Sequence, residues 1–351
     1  MSVQHQVYMQ RCLQLALLGN TAAAPNPMVG AVLVHNHTII GEGYHRQYGQ
    51  AHAEVNCIAS VLQHHKHLIS SSILYVSLEP CNHYGNTPPC TQAILTSGIR
   101  TVVVGCTDAS SKVNGMGIAT LRQHGVQVIT GILEQECVAL NAPFFYSSLH
   151  KLPYITLKWA QSSDGYIANA YKQPINISNV YTSRYTHKLR ATHQAIWVGA
   201  NTVLYDDPLL NNRYYGTQQP IRIVWDKGLT LPTTSKLLST MQPTWVFNTI
   251  KSQSLSHQLQ YIKVEDDYNW VHSILTHLYH VHIHTILVEG GSSLHYTLLQ
   301  HNFWCKLIVI TNTTLTLQQG YAAPHTHLLP TAAQLMYMAN DSIAIYHNQK
   351  L

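Results

Sequence analysis

The chain has 351 residues, room for about two domains at roughly 150 residues each, either of which could bury a core without disulfide staples. Apolar residues make up 46% and charged residues only 10%, against about 25% charged in an average globular protein, which excludes a disordered or coiled-coil chain. The formal charge is +5, from 20 Lys and Arg against 15 Asp and Glu. No run of Lys and Arg gathers that excess into a patch, so nucleic-acid binding is not implied.

The amino terminus, MSVQHQVYMQRCLQLALLGN, lacks a basic n-region and reads as an amphipathic first helix rather than a signal peptide. Strand-like VGAVLV (29–34) and TIIGEGY follow, then AEVNCIASVL with helical spacing and the strand-like SILYVSLEP. Next come a helix after Cys90, the strand TVVVG, a helix near Leu121, the strand VQVIT and a helix around Cys137. Strands separated by helices of this length predict a mostly parallel sheet covered on both faces. The stretch from Tyr146 to Leu152 is expected as a linker, which places domains at 1–146 and 152–351. Beyond it the pattern restarts with YITLKWA, a helix through His187 to Ala191, then AIWVGA, IRIVW, TWVFN, TILVEGG, a helix and KLIVIT. A second α/β domain is the economical reading.

Three further features bound the setting. Histidine occurs 24 times, and protonating every copy would raise the charge from +5 to at most +29, so acid is expected to stress the fold. No apolar run approaches the roughly 18 residues needed to span a bilayer, so no membrane span is expected. Seven cysteines at scattered positions suit a reducing cytoplasm better than a disulfide framework. A homo-oligomer is compatible with this composition.

Metal-ligand chemistry is concentrated in the first half. His52-Ala53-Glu54 opens a helix, while Pro80-Cys81 and Pro89-Cys90 follow a strand. A catalytic zinc site needs three protein ligands and an open position for water, a count that one His and two Cys meet. Glu54 is then a free carboxylate beside His52, suited to collect a proton and deliver it to a leaving amine. Zinc deaminases of bases use His, Glu and two Cys in this order. A purely structural zinc is the competing reading; it takes four protein ligands, and His83 is the one candidate for the fourth. Cys12, Cys57, Cys106 and Cys137 read as core.

The run from Pro80 to Cys90, PCNHYGNTPPC, has eight residues between its cysteines, where most cytidine deaminases have two. It closely resembles the deaminase domain of the bifunctional riboflavin-biosynthesis deaminase/reductase family. So do Asn26-Pro27-Met28-Val29-Gly30, Gly43-Tyr44-His45, Asp108 with Lys112 to Gly117, and Asn141 to Phe145. The resemblance implies zinc on His52, Cys81 and Cys90, proton transfer by Glu54, and substrate contacts at Asn26 and His45. The family usually carries Lys or Arg where Asn86 stands, a cation suited to the substrate's phosphate.

Motifs in the second half are individually weaker. They are Thr156 to Ala160 before Ser163-Asp164-Gly165, Val198 to Leu204, Asp206 to Leu210 ahead of Arg213, and Leu287 to Ser293 with its Gly290-Gly291 pair. A strand delivering two glycines into a helix start presents free backbone N–H groups to phosphate oxygens. It is not a G-x-G-x-x-G fingerprint. As an ordered series these segments resemble the reductase domain of the same family, a dihydrofolate-reductase-like fold that uses NADPH. The resemblance then covers nearly the whole chain. It implies NADPH contacts at Ala160, Thr202, Asp206, Gly291, Ser292 and Ser293, and substrate contacts at Leu210, Arg213, Glu289 and an active-site Lys158.

Departures are more numerous in this half: Asn176-Ile177-Ser178 replaces Trp-Ile-Thr, Ser163 a Leu, Gln194 an acidic residue, and Trp304-Cys305-Lys306 an acidic pair. The segment 311–320 also lacks the usual Pro and Leu-Leu-Gly. The runs His280-x-His282-x-His284 and His64 to His67 read as solvated surface histidines; on a strand, the first would share one face.

The expected fold class is thus α/β in two domains, a cytidine-deaminase-like three-layer α/β/α domain and a dihydrofolate-reductase-like α/β domain. The expected function is deamination of a small pyrimidine ribonucleotide with zinc, then reduction of its ribosyl chain with NADPH. Three alternatives stay open: a deaminase whose second domain is inactive or altered in cofactor binding, a nucleic-acid deaminase, and a zinc-stapled scaffold. A nucleic-acid deaminase needs a basic channel that these scattered cations do not supply.

Overall fold

The computed structural model describes residues 3–85, 87–108, 115–171, 175–216, 218–239, 242–324 and 331–348. Asn86 and Lys112 to Asn114, singled out above, lie outside them. The chain divides into two compact units, Met1–Lys151 and Leu152–Leu351.

The first unit runs α1 (Val3–Ala16), β1 (Gly30–His35), β2 (Thr38–Tyr44), α2 (Ala53–Ala59), β3 (Ile73–Leu78), α3 (Cys90–Thr96) and β4 (Thr101–Cys106). It ends with α4 (Met116–Gln123), β5 (Gln127–Thr130), α5 (Glu134–Leu140) and α6 (Ala142–His150). The sheet order is β2-β1-β3-β4-β5. Strands β3, β4 and β5 are parallel, but β1 is antiparallel to both its neighbours. The sheet is therefore mixed rather than mostly parallel. The cause is local: Asn36 and His37 both take positive φ (44° and 65°), the two-residue hairpin geometry that matches strand twist.

Alternate strand residues face opposite layers. Ala31, Leu33, Leu74, Val76, Val102 and Val104 pack with Ala53 and Cys57 of α2, Ile94 of α3 and Leu121 of α4. Val32, Val34, Tyr75 and Val103 pack with Met9, Cys12 and Leu13 of α1 and Cys137 of α5. Burial on both faces explains why these strands read as unbroken apolar runs. The expected linker at 146–152 is instead mostly helix, since α6 continues to His150 and Lys151 closes it in a left-handed conformation.

The second unit begins with β6 (Tyr154–Gln161), β7 (Tyr166–Asn169), α7 (Val180–Thr192), β8 (Ala195–Gly199), α8 (Ala200–Asp206), β9 (Ile221–Trp225) and α9 (Lys236–Ser239). Then follow β10 (Thr244–Asn248), β11 (Gln253–Ser254), β12 (Leu259–Lys263), α10 (Trp270–His280), β13 (Thr285–Gly290) and α11 (Ser292–Gln300). Last are β14 (Lys306–Asn312), β15 (Gly320–Ala322), β16 (Gln334–Met338) and β17 (Asp341–His347). The large sheet runs β11-β12-β10-β9-β8-β13-β6-β14-β17-β16. Its stretch from β12 to β14 is parallel throughout, and β11, β17 and β16 join it antiparallel.

One face buries Leu157, Trp159, Trp197, Ile223 and Val288 under Ile274 and Leu278 of α10 and Leu298 of α11. The other buries Leu287, Ile308 and Ile310 under Leu189 of α7, and Ile196, Val198 and Val224 under Val203 of α8 and Leu237 of α9. The three histidines at 280, 282 and 284 do not share a strand face. His280 ends α10, His282 turns the chain at φ +64°, and His284 precedes β13.

Candidate functional sites

In the first unit the ligand residues come from two loop-to-helix junctions. His52 is the extended residue that precedes α2, and Glu54 stands in that helix's first turn. Asn56 pins the approach by donating from Nδ2 to the carbonyls of Tyr44 and Ala51. Cys90 is the first residue of α3, and Cys81 follows the end of β3, tied to α3 by a hydrogen bond from Thr91 N to its carbonyl.

These junctions bring His52 Nδ1 to 3.5 Å from Cys81 Sγ and 3.3 Å from Cys90 Sγ. All three ligand atoms lie within 4.8 Å of one another. Tetrahedral zinc with bonds of about 2.3 Å to sulfur and about 2.0–2.1 Å to nitrogen has N···S edges of roughly 3.6 Å, so the donor set fits the metal in type and spacing. His83 is exposed and outside the cluster, which leaves three ligands among the described residues and removes the candidate for a fourth.

Glu54 is 3% exposed. Burial raises its carboxyl to about 7, and the charge of Cys81 adds to that. The Cys90 thiol and the His52 imidazole hold Cys81 toward its thiolate. His45 is buried, donates from Nδ1 to the Ala51 carbonyl and accepts from Asn26 Nδ2 at Nε2 (3.2 Å). Its ring meets His52 edge-on at 5.0 Å. Burial lowers its pKa, so the ring stays neutral. Asn26, His45, His52, Cys81, Cys90 and Glu54 are thus gathered around one point. Asn141 explains its own landmark, because its side chain bonds both backbone groups of Met28 and fixes the Asn26 loop.

Sequence reasoning missed Glu79. Its buried carboxylate accepts from the N–H groups of Asp108, Gly115, Gly117 and Ile118, which fastens the start of α4 beside the cysteine loop. A glutamate at the end of a buried strand was the available signal, since an unpaired charge there is costly.

In the second unit a cleft of about 1220 Å³ opens along the carboxyl ends of the parallel strands, where open α/β sheets bind their ligands. Lys158 and Ala160 line it from β6, Thr202 and Asp206 from α8, and Arg213 from the loop beyond. Glu289, Gly291, Ser292 and Ser293 line it from the β13–α11 junction, and Asn176 from the segment before α7. Leu210 does not join them, because its side chain is buried against Val198, Val203 and Val224. Gln194 bridges backbone instead, donating to the His282 carbonyl and accepting from His284 N. Trp304 and Cys305 are buried in the core.

At one end of the cleft Arg190 of α7 holds Glu289 with two hydrogen bonds of 2.7 and 2.8 Å, and Lys158 lies 4.0 Å away. Burial alone would raise the Glu289 carboxyl, but Arg190 and Lys158 outweigh it and hold it near 2. Arg190 and His187 are the residues sequence reading missed here; their i, i+3 spacing on one helix face was the available signal.

The cleft also fits a dinucleotide. A Cβ added at Gly290 or Gly291 would come within 3.1 or 3.2 Å of Thr202 Oγ1, so glycine keeps this cradle open. The start of α11 has no side-chain cap, leaving its first N–H groups for an anion. The volume exceeds the roughly 300–1,000 Å³ that houses one drug-sized ligand, which leaves room for substrate beside cofactor.

Residues 2–106 match the cytidine and deoxycytidylate deaminase zinc-binding region, and residues 153–315 match the RibD C-terminal domain. The molecule therefore joins a zinc-type deaminase domain to a reductase domain. The riboflavin biosynthesis protein RibD of Aquifex aeolicus is 37% identical over 86% of this chain and 85% of its own length. That of Escherichia coli is 32% identical over 88% and 87%. A solved diaminohydroxyphosphoribosylaminopyrimidine deaminase/5-amino-6-(5-phosphoribosylamino)uracil reductase from Thermotoga maritima superposes with a TM-score of 0.89 at 31% identity, covering 98% of each chain. Acinetobacter baumannii RibD does so at 0.86 and 28% identity, again over 98% of each chain. The chain belongs to the RibD family of riboflavin biosynthesis, bifunctional enzymes with a zinc-dependent deaminase half and an NADPH-dependent reductase half.

Proposed function

We propose that this enzyme deaminates 2,5-diamino-6-(5-phosphoribosylamino)pyrimidin-4-one in its first domain and reduces the ribosyl side chain of the product to ribityl in its second. The observation that carries the reading is the three-ligand set of His52, Cys81 and Cys90 with the buried Glu54 beside it.

Zinc held there would act as a Lewis acid and bring the pKa of a water toward neutrality. Glu54 holds a proton on its carboxylate and passes it to the departing amine, in an enclosed pocket that favours the neutral acid. Asn26 and His45 orient the pyrimidine as a pair: the neutral ring, fixed on the Ala51 carbonyl, holds the Asn26 amide through Nε2 and so sets how that amide meets the base. In the second domain a bound NADPH would provide a hydride for C1′. The open-chain imine is the natural acceptor, since a closed furanose has no electrophilic C1′: hydride adds to C1′ and the amine nitrogen takes a proton, so the C1′–N bond is kept.

Ala160, Thr202, Asp206 and the 291–293 turn hold the cofactor; Lys158 and Glu289 contact the ribose; Arg213 meets the phosphate. The complete cleft, with Lys158, Glu289 and Arg190 joined at one end, favours two activities over a deaminase alone.

The seven cysteines, all free, support action in a reducing cytoplasm. No helix among the described residues is long and apolar enough to cross a membrane. Mass spectrometry of products from the zinc-loaded protein, with and without NADPH, tests the reading. Ammonia loss without cofactor and ribityl product only with it are expected. Absence of deamination would overturn the central claim, and deamination alone under saturating NADPH would overturn the second half.

A further inference from the structure

His187 has no place in the chemistry above, yet it is 2% exposed on the wall of the reductase cleft. Arg213 wraps around it. The Arg213 main-chain N lies 3.3 Å from Nδ1, and its guanidinium reaches Nε2 at 3.2 Å. The ring also bonds the Asn211 carbonyl, which accepts from Arg190 Nη1 at 3.1 Å. Tyr214 closes the ring edge-on at 4.8 Å.

A neutral imidazole has one N–H and one lone pair. Placing the N–H at Nδ1, toward the Asn211 carbonyl, leaves the lone pair at Nε2 for the two guanidinium nitrogens, a charge-assisted contact that outweighs the single 3.3 Å approach of the Arg213 main-chain N–H to Nδ1. A protonated ring would hold a cation against Arg190 and Arg213. Burial and those two charges keep His187 neutral, with its pKa pulled down to about 4. Arg213 is an exposed residue, so without this acceptor its long side chain would sample many rotamers, and ordering it on a ligand would cost more.

We propose that His187 is a positioning residue that pre-aims the Arg213 guanidinium at the phosphate ester of the reductase substrate. The inference rests on the reading of Arg213 as the phosphate contact, and the test separates the two. D-ribose 5-phosphate is the probe, titrated calorimetrically into the full-length protein, with KM and kcat for reduction measured beside it.

Arg213→Ala is expected to weaken probe binding roughly ten- to hundredfold, the range for losing a charge-assisted hydrogen bond. His187→Leu is expected to weaken it about tenfold and to raise KM by a similar factor, with kcat within about threefold. His187→Gln, whose carbonyl supplies an acceptor near Nε2, is expected to recover most of the loss, a rescue that a purely space-filling role does not give. If His187→Leu fails to fold, His187→Asn, too short to reach the Arg213 guanidinium, takes its place. Wild-type binding by His187→Leu or its Asn substitute, with Arg213→Ala impaired, overturns this inference alone. Wild-type binding by Arg213→Ala overturns the reading of Arg213 and this inference with it.

Discussion

Glu54 and Arg190 show how one side chain carries very different weight in the two sites. Glu54 is enclosed beside the ligand set, so an isosteric amide changes its protonation chemistry and little else. Glu54→Gln is expected to cut deamination by about 10²–10⁴, the range for removing general acid–base catalysis, while metal analysis still finds zinc bound. A zinc-stapled scaffold would show no such loss. Arg190 makes the two-pronged contact to Glu289 in a site that excludes most solvent. Arg190→Met removes one partner of a buried pair and leaves the Glu289 charge with Lys158 at 4.0 Å. Chemical denaturation is expected to show a loss of about 3–5 kcal/mol. A loss below about 1 kcal/mol would mean that solvent reaches the pair.

Close approach between elements decides several identities that chemistry does not. Gly30 begins β1 directly beneath α1: an added Cβ would stand 2.0 Å from the Cys12 carbonyl oxygen and 2.8 Å from Ala16 N, both backbone atoms. Gly30→Ala is therefore expected to cost at least about 1–3 kcal/mol, the usual range for overpacking, read as a lower denaturation midpoint. Gly117 is in the same position against the Pro80 carbonyl at 2.0 Å, next to the Cys81 loop that Glu79 fastens to α4. Parallel runs such as TVVVG and TILVEG were legible because both faces are buried. The edge strands β11, β15 and β16 were not, since they are short and half-exposed and carry no strong alternation. The Asn36-His37 turn was also passed over, and with it the reversal of β1.

Taken whole, each of the two units buries its own hydrophobic clusters, which predicts separable losses. Chelation is expected to abolish ammonia release while leaving NADPH-dependent reduction of the already deaminated nucleotide; joint loss of both would contradict this. Acid should act on the fold through buried neutral histidines. Burial pulls His193 and His295 down to about 4, below the ordinary value near 6.5 that they regain on unfolding. The unfolded chain therefore binds more protons between pH 6.5 and 4. Stability is fully present above about 6.5 and drains away as pH falls through that window. Melting temperatures measured from pH 7.5 to 4.5 should decline below 6.5, and a flat profile would sink the argument.

From the sequence alone came the α/β class of both halves, the ligand trio with Glu54, the Asn26–His45 pair and most of the reductase contacts. Each of these is carried by residue type at short spacing, and short spacing is what a local backbone preserves. What only the tertiary structure decided joins residues distant in the chain: Arg190 and Lys158 meeting on Glu289, Arg213 folded over His187, Glu79 gathering amides from 108–118, and Leu210 turned into the core. Such pairings depend on which strands lie side by side and which helix face they bury. No local pattern encodes that, because it is the packing of the whole sheet that brings those side chains within a hydrogen bond of one another.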